Sequence, residues 1–335
     1  MKLVTFQING EARLGACVGD NIFDLNACYS LYLTGVTREK VSEISKDTLL
    51  KMEDKTRKEM PTCMIEFLQL GAPVMERARK VLQRMAEFSA ADLSECCIVF
   101  KATDVSLDAP IPWPGKILCL AGNYAEHIRE GGKEVAGKAN MAPKVFMKPN
   151  TSVIGAGDAI AVPKKGNKID WEAELAVVIG KTGKYIKQAD AYDYVVGYTI
   201  MNDVSERSLI IDADREPSEW NRFFDWLNGK WMDTFAPMGP CLVTKEEIED
   251  PHDLRISLRV NGETKQDAST GDMIFNIPEL IEFTSRLMTL EPGDIISTGT
   301  PSGVGSASGT FLKPGDVVET EVEGLGVLRN PVEAE

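Results

Sequence analysis

Two glutamates one residue apart open the run "IDWEAELAVVIG" between Ile169 and Gly180. In an extended segment successive side chains point to opposite faces. Glu172 and Glu174 therefore share one face, and Trp171, Ala173, Leu175, Val177 and Ile179 share the other. Ala176 and Val178 follow on the acidic face, which predicts a strand buried on both sides with carboxylates at its entrance. Burial forces such a pair to hold a proton or to be offset by a cation. The competing reading is an exposed strand end with solvated acids. A third acid, Asp203, ends the apolar run "VVGYTIMND". If the two strands adjoin, Glu172, Glu174 and Asp203 form an all-oxygen site of the kind that selects a hard cation, Mg2+ or Mn2+. Taken alone, Asp203 reads as a turn cap.

The chain has only two histidines, so histidine chemistry has few places to occur. His127 precedes Glu130 by three residues in "GNYAEHIRE". That spacing puts both on one helical face, where the carboxylate can orient the imidazole as a general base. The same pair is also a common surface contact. Gly131, Gly132 and Gly137 follow with few large apolar residues between them, which predicts a mobile lid over residues 128 to 142. His252, in "EEIEDPHDL", predicts a solvated turn. The stretch from Arg215 to Pro237 holds Trp220, Trp226, Trp231, Phe223, Phe224 and Phe235 around Lys230 and predicts a packed loop or subunit contact. "STGTPSGVGSASG" lacks the order of a phosphate-binding P-loop. Seven cysteines without C-x-x-C spacing suggest neither a disulfide framework nor a zinc site.

These residues need elements to hold them. Short alternating runs broken at Asn9-Gly10 and Gly19-Asp20 predict β-hairpins. Val74, Ala78, Val81, Leu82 and Met85 mark one face of a helix, and Ile277, Leu280, Ile281, Thr284, Leu287 and Met288 mark a second, with Asn276 as its N-cap. "DAPIPWPGK" packs three prolines into nine residues and predicts a boundary between an N-terminal α+β module, 1–108, and a larger unit, 109–335. In the latter, strands dominate: "KILCLAG", "KVFMKP", the Glu172 strand, "VVGYTIMND", "LRISLRVNG", "GDIISTG" and "GDVVETEVEGLGVLRNPV". Strand-rich α+β with a mixed or rolled sheet is the class this pattern predicts. The net charge of -14, with scattered acids, argues against nucleic acid and anionic membrane as partners. No segment approaches the roughly 20 apolar residues of a spanning helix, and the N-terminus lacks an apolar leader, so a cytoplasmic protein is expected.

In chain order, "GNYAEHIRE", "KVFMKP", "IDWEAELAVVIG", "GYTIMNDVSER", "DTFAPMGP", "IPELIEFTSRLMTLEPGDIISTGTPSGVG" and "LKPGDVVETEVEGLGVLRNPV" resemble the catalytic domain of the fumarylacetoacetate hydrolase family from Lys116 to Val332. The likeness is to acylpyruvate hydrolase-like members with an extra N-terminal module. It implies a mixed β-roll catalytic domain, a homodimer, and Mg2+ or Mn2+ held by Glu172, Glu174 and Asp203. It also implies catalytic roles for His127, Glu130, Lys230 and Thr300. The resulting expectation is a hydrolase that cleaves a carbon-carbon bond in small anionic 1,3-diketo or 2-oxo acids through a metal-stabilised enolate. His127 would activate water, and Lys230 and Thr300 would bind developing charge or the substrate carboxylate. The same enolate serves isomerisation of 2-hydroxymuconate-like dienols and decarboxylation of oxaloacetate-like acids. A non-catalytic metabolite binder is a further alternative, against which the intact constellation weighs.

Overall fold

The computed structural model describes all residues except 165, 167, 211–214 and 217, and, within its elements, every side chain but those of residues 39, 42, 46 and 50. The chain begins with an antiparallel meander, β1 (Lys2–Ile8), β2 (Glu11–Val18) and β3 (Asn21–Asp24). Asn9 and Gly10 make its first turn at φ of 54° and 79°, a left-handed pair that suits the twist of a tight hairpin. Helices α1 (Leu25–Thr34), α2 (Lys46–Thr56), α3 (Met64–Gln69), α4 (Ala72–Met85) and α5 (Ala90–Glu95) follow, then the short β4 (Val99–Lys101) and β5 (Ser106–Leu107). Helix α4 buries Val74, Ala78, Val81 and Met85 of the predicted stripe, adds Met75, and leaves Leu82 half-buried.

The remaining chain runs through β6 (Ile117–Leu120), α6 (Ala125–Glu130), β7 (Val145–Lys148), β8 (Val153–Ile154), β9 (Ile160–Val162), β10 (Ile169–Asp170), β11 (Ala173–Ile179), β12 (Val195–Asn202) and β13 (Ser205–Glu206). It continues with α7 (Glu219–Asn228), β14 (Ala236–Thr244), β15 (Arg255–Val260), β16 (Glu263–Ser269), α8 (Ile277–Leu287), β17 (Ile295–Ser297), α9 (Gly305–Ser308), β18 (Val317–Val322) and β19 (Gly326–Ala334). The class is α+β and strand-rich. The large sheet has the order β4-β3-β2-β1-β14-β12-β11-β17-β6-β7, and a second sheet has the order β16-β15-β18-β19-β9. Most pairs are antiparallel, but β17 and β6 run parallel, so the large sheet is mixed. The N-terminal meander joins it directly through antiparallel pairing of β1 with β14, Leu3 opposite Leu242.

β11 shows why its sequence is apolar on both faces. Leu175, Val177 and Ile179 enter a core shared with the second sheet and α8. Ala176 and Val178 enter another, built with α1, α3 and α4. Every residue of β11 is buried, as expected of a central strand covered on both sides.

Three expectations need correction, and one strand goes beyond them. The run from Ile169 to Gly180 is two strands rather than one, interrupted at Trp171 and Glu172. There side chains take the two N–H groups, Asn202 Oδ1 accepting from Glu172 N at 2.9 Å and Gln266 Oε1 from Ala173 N at 2.9 Å, while the Glu172 carbonyl still accepts from Asp203 N. The aromatic stretch around Lys230 is not irregular, because its middle is helix α7, capped by Ser218; position 217 in it lies outside the described residues. The sequence around Pro237 and Pro240 does not look like a strand, yet it forms β14, between β1 and β12. Finally, His252 lies in the expected turn but is not solvated, because its side chain is largely buried. Its Nε2 accepts from Ile277 N at 3.1 Å and so helps close the first turn of α8, beside the capping box of Asn276 and Glu279.

Candidate functional site

The β11–β12 pairing sets the site. Ala173 lies opposite Asn202, which brings Glu172 and Glu174 to the end of the strand that releases Asp203. One carboxylate oxygen from each of Glu172, Glu174 and Asp203 lies within 4.8 Å of the others. Glu174 and Asp203 are wholly inaccessible and Glu172 nearly so. The solvated-acid reading is thereby excluded.

Three cations face this cluster. Lys230 Nζ donates to Glu172 Oε2 at 2.8 Å and to Asp203 Oδ2 at 2.7 Å. Lys148 Nζ donates to Asp203 Oδ1 at 2.6 Å and to the Val204 carbonyl at 3.0 Å. Arg207 bridges Glu172 Oε1 and Asp170, the latter at 2.9 Å. Burial alone would raise Glu172, but Lys230, Arg207 and His127 hold it down at about 2. Glu174 goes the other way: burial, then the charges of Asp203 and Glu172, push it well above the usual carboxylate range. Burial pulls Lys148 down against Asp203, whereas Lys230, with two carboxylates, is raised despite its burial.

Glu174 is the carboxylate the lysines do not reach. Its Oε2 accepts from Ser297 Oγ at 2.5 Å and from Gly299 N at 3.0 Å. Its Oε1 is buried and meets no hydrogen-bond donor among the described residues. A buried carboxylate oxygen with no donor, beside two further carboxylates, fits a hard divalent cation.

The other expected residues lie around the same cluster. On α6, His127 Nδ1 meets Glu130 Oε1 at 2.7 Å. Glu130 Oε2 accepts from Gly303 N at 2.8 Å, which ties α6 to the loop after β17. Thr300, in that loop, accepts from Gln266 Nε2 at 2.8 Å. The expected set is thus gathered around one point. Lys148, Arg207, Asp170 and Gln266 are additions that sequence reading did not single out. For Lys148 a signal exists: alternation in "KVFMKP" puts it with Phe146 on one face of β7, and a lysine on a buried face needs a reason. Arg207 and Gln266 carry no such local mark.

Comparison with known proteins agrees. The family model described as fumarylacetoacetate (FAA) hydrolase C-terminal matches residues 116–333. The mitochondrial oxaloacetate tautomerase fahd2 of Xenopus laevis is 42% identical over 275 residues, covering 82% of this chain and 79% of that protein. A maleylpyruvate hydrolase from Sphingobium, solved with manganese (II) and pyruvate, is 28% identical with a TM-score of 0.70, covering 100% of this chain and 99% of that one. A fumarylacetoacetate hydrolase from Exiguobacterium antarcticum is 29% identical with a TM-score of 0.72, covering both chains fully at 100%. No helix among the described residues is long and apolar enough to cross a membrane.

Proposed function

The chain belongs to the fumarylacetoacetate hydrolase family, and from that premise we propose that it is a divalent-metal-dependent enzyme interconverting the enol and keto forms of an oxaloacetate-like 2-oxo acid. The observation that carries this reading is the buried convergence of Glu172, Glu174 and Asp203 beside Lys148, Lys230 and Arg207. The three carboxylates would hold Mg2+ or Mn2+, hard cations suited to oxygen ligands. When bound, the cation supplies Lewis acidity toward the adjacent oxygens of a 2-oxo acid.

The chain's own residues do the rest. Lys230 and Arg207, paired with Glu172, Asp203 and Asp170, would place positive charge beside an anionic substrate, and their burial would strengthen that attraction. His127 uses Nδ1 toward Glu130, so Nε2 is the nitrogen left to move a proton at the carbon next to the 2-oxo group. Tautomerisation asks for one such proton relay and no water nucleophile. The 42% identity to an oxaloacetate tautomerase over most of both chains supports that choice over bond cleavage. Hydrolysis of acylpyruvates is the second reading, favoured by the likeness to a maleylpyruvate hydrolase; there His127 would instead activate water.

The test follows the loss of oxaloacetate enol absorbance with Mg2+ or Mn2+, against the same metal without protein, while pyruvate release is assayed in parallel from oxaloacetate and from an acylpyruvate panel. Accelerated enol loss without matching pyruvate release is expected. Pyruvate release from an acylpyruvate, with no effect on oxaloacetate enol, would replace the proposal by the hydrolase reading. Stoichiometric loss of CO2 from oxaloacetate would replace it by decarboxylation.

A further inference from the structure

Gln266 lies on β16, in the second sheet, and its side chain crosses to the site. It is 1% exposed and all its bonds are internal. Oε1 accepts from Ala173 N at 2.9 Å, between the two glutamates of the carboxylate cluster. Nε2 donates to Thr300 Oγ1 and to the Pro301 carbonyl, both at 2.8 Å. The orientation of an amide is usually an assignment. Here the partners settle it, because the Ala173 N–H can only donate and the Pro301 carbonyl can only accept.

That orientation fixes what Thr300 does. A hydroxyl has one hydrogen and accepts on its lone pairs. Since Thr300 Oγ1 receives the amide hydrogen, its own hydrogen is committed to no protein acceptor among the described residues. Thr300 is buried and directly follows Gly299, whose N–H is bound to Glu174 Oε2 at 3.0 Å. A buried hydroxyl donor beside a carboxylate cluster wants an acceptor.

We propose that Gln266 is a positioning residue that occupies one lone pair of the Thr300 hydroxyl and so aims its hydrogen at an oxygen of the bound 2-oxo acid. The proposal rests on the functional reading above and deepens it: the family resemblance already implies Thr300 as a binder of the substrate, and Gln266 is what holds its hydroxyl in the donating sense. A glutamine satisfied at every polar atom loses little entropy on ligand binding, so the donor is set before the ligand arrives.

Oxalate, a planar dianion with adjacent oxygens like those of a 2-oxo acid, is the probe. Its affinity for the Mn2+-loaded protein is measured by calorimetry in wild type, Thr300→Val, Gln266→Met and the double variant, with Mn2+ affinity and melting recorded for each. Thr300→Val should weaken oxalate about tenfold or more, as loss of a hydrogen bond to a charged group does. Gln266→Met should weaken it to a similar extent with Mn2+ affinity unchanged, and the double variant should be no weaker than Thr300→Val alone, because Gln266 acts through Thr300. Thr300→Ser should restore wild-type affinity. Gln266→Met orphans the Ala173 N–H, so Gln266→Glu serves as a second variant. It keeps the acceptor for Ala173 but sets an oxygen against both Thr300 and the Pro301 carbonyl; the carbonyl has no hydrogen to give, so the Thr300 hydroxyl turns toward the new oxygen and oxalate weakens likewise. The proposal is overturned if oxalate affinity is unchanged in both Gln266 variants, if the two losses multiply in the double variant, or if Mn2+ affinity falls as far as oxalate affinity. Absence of oxalate binding to the wild type also overturns it. Failure of the tautomerase assay leaves this cycle readable, so the two readings fail separately.

Discussion

Asp203 has each oxygen held by a different ammonium group, Lys148 on Oδ1 and Lys230 on Oδ2. Lys148 is the deeper of the two, with no side-chain exposure. Removing one partner of a buried ion pair leaves an uncompensated charge and costs about 3–5 kcal/mol. Lys148→Met should therefore destabilise the metal-free protein by that order in urea unfolding; a change below about 1 kcal/mol would mean the pair carries little. His127 tests the chemistry instead of the stability. His127→Ala should lose about a hundred- to ten-thousand-fold in turnover while Mn2+ affinity is kept, and near-complete retention of turnover would remove it from the proton relay. The metal-ligand candidates were legible in the sequence because each sits at the end of an apolar strand run, where an acid conflicts with its surroundings. Arg207 and Asp170 were not, because exposed and buried polar residues look alike until the loop after Asp203 folds back onto β10.

Elements carry the site's motions and its sensitivity to pH. Helix α6 buries none of its residues, and the chain beyond it is tied down by Glu130 to Gly303, by Lys138, which pairs with Glu279 at 2.8 Å and lies over the Phe275 ring, and by Met141 against the core. So few anchors favour opening. Hydrogen exchange over residues 128–142 should slow when oxalate is added to the Mn2+-loaded protein, and equal protection in both states would contradict the lid. At the far end of the site's scaffold, His252 must stay neutral at Nε2 to accept from Ile277. Burial pulls its pKa below the ordinary 6.5, against Asp250 and Glu279. A depressed histidine contributes stability that is present above its unfolded value and lost as pH falls below it. The melting temperature should therefore drop more steeply below about pH 6.5 in wild type than in His252→Gln, whose amide can accept without titrating. Parallel curves would show that the bond does not matter. Helix α8 was readable from its cap and from its stripe as far as Thr284, although Leu287 proves exposed and Met288 lies past its end; β14 was not. Two prolines and a glycine argue against a central strand, and only its position between β1 and β12 supplies the pairing that overrides local preference.

Across the whole molecule the N-terminal module and the catalytic unit share one sheet and one of the two cores. Leu3, Leu14 and the α4 stripe pack with Ile117, Ala176, Val178, Met238 and Leu242. A proline-rich boundary near residue 108 reads as a linker in sequence, yet sequence alone says nothing of the β1–β14 pairing, which joins residues about 240 apart. We therefore propose that the module braces the sheet carrying the site's strands, with Leu3 and Leu242 facing each other on adjacent strands. What that bracing secures is a cluster of three buried carboxylates in which Lys148, Lys230 and Arg207 pair with Asp203 and Glu172, while Glu174 has no ion pair among the described residues and is costly to bury charged unless a further cation offsets it. Calorimetric titration of Mn2+ into metal-stripped wild type and into Glu174→Gln tests this most directly. One Mn2+ should bind per wild-type chain, and the affinity should fall at least about a hundredfold in the variant, as loss of a charged ligand worth several kcal/mol requires. Equal affinity in the two proteins, or no binding by the wild type, would contradict the account.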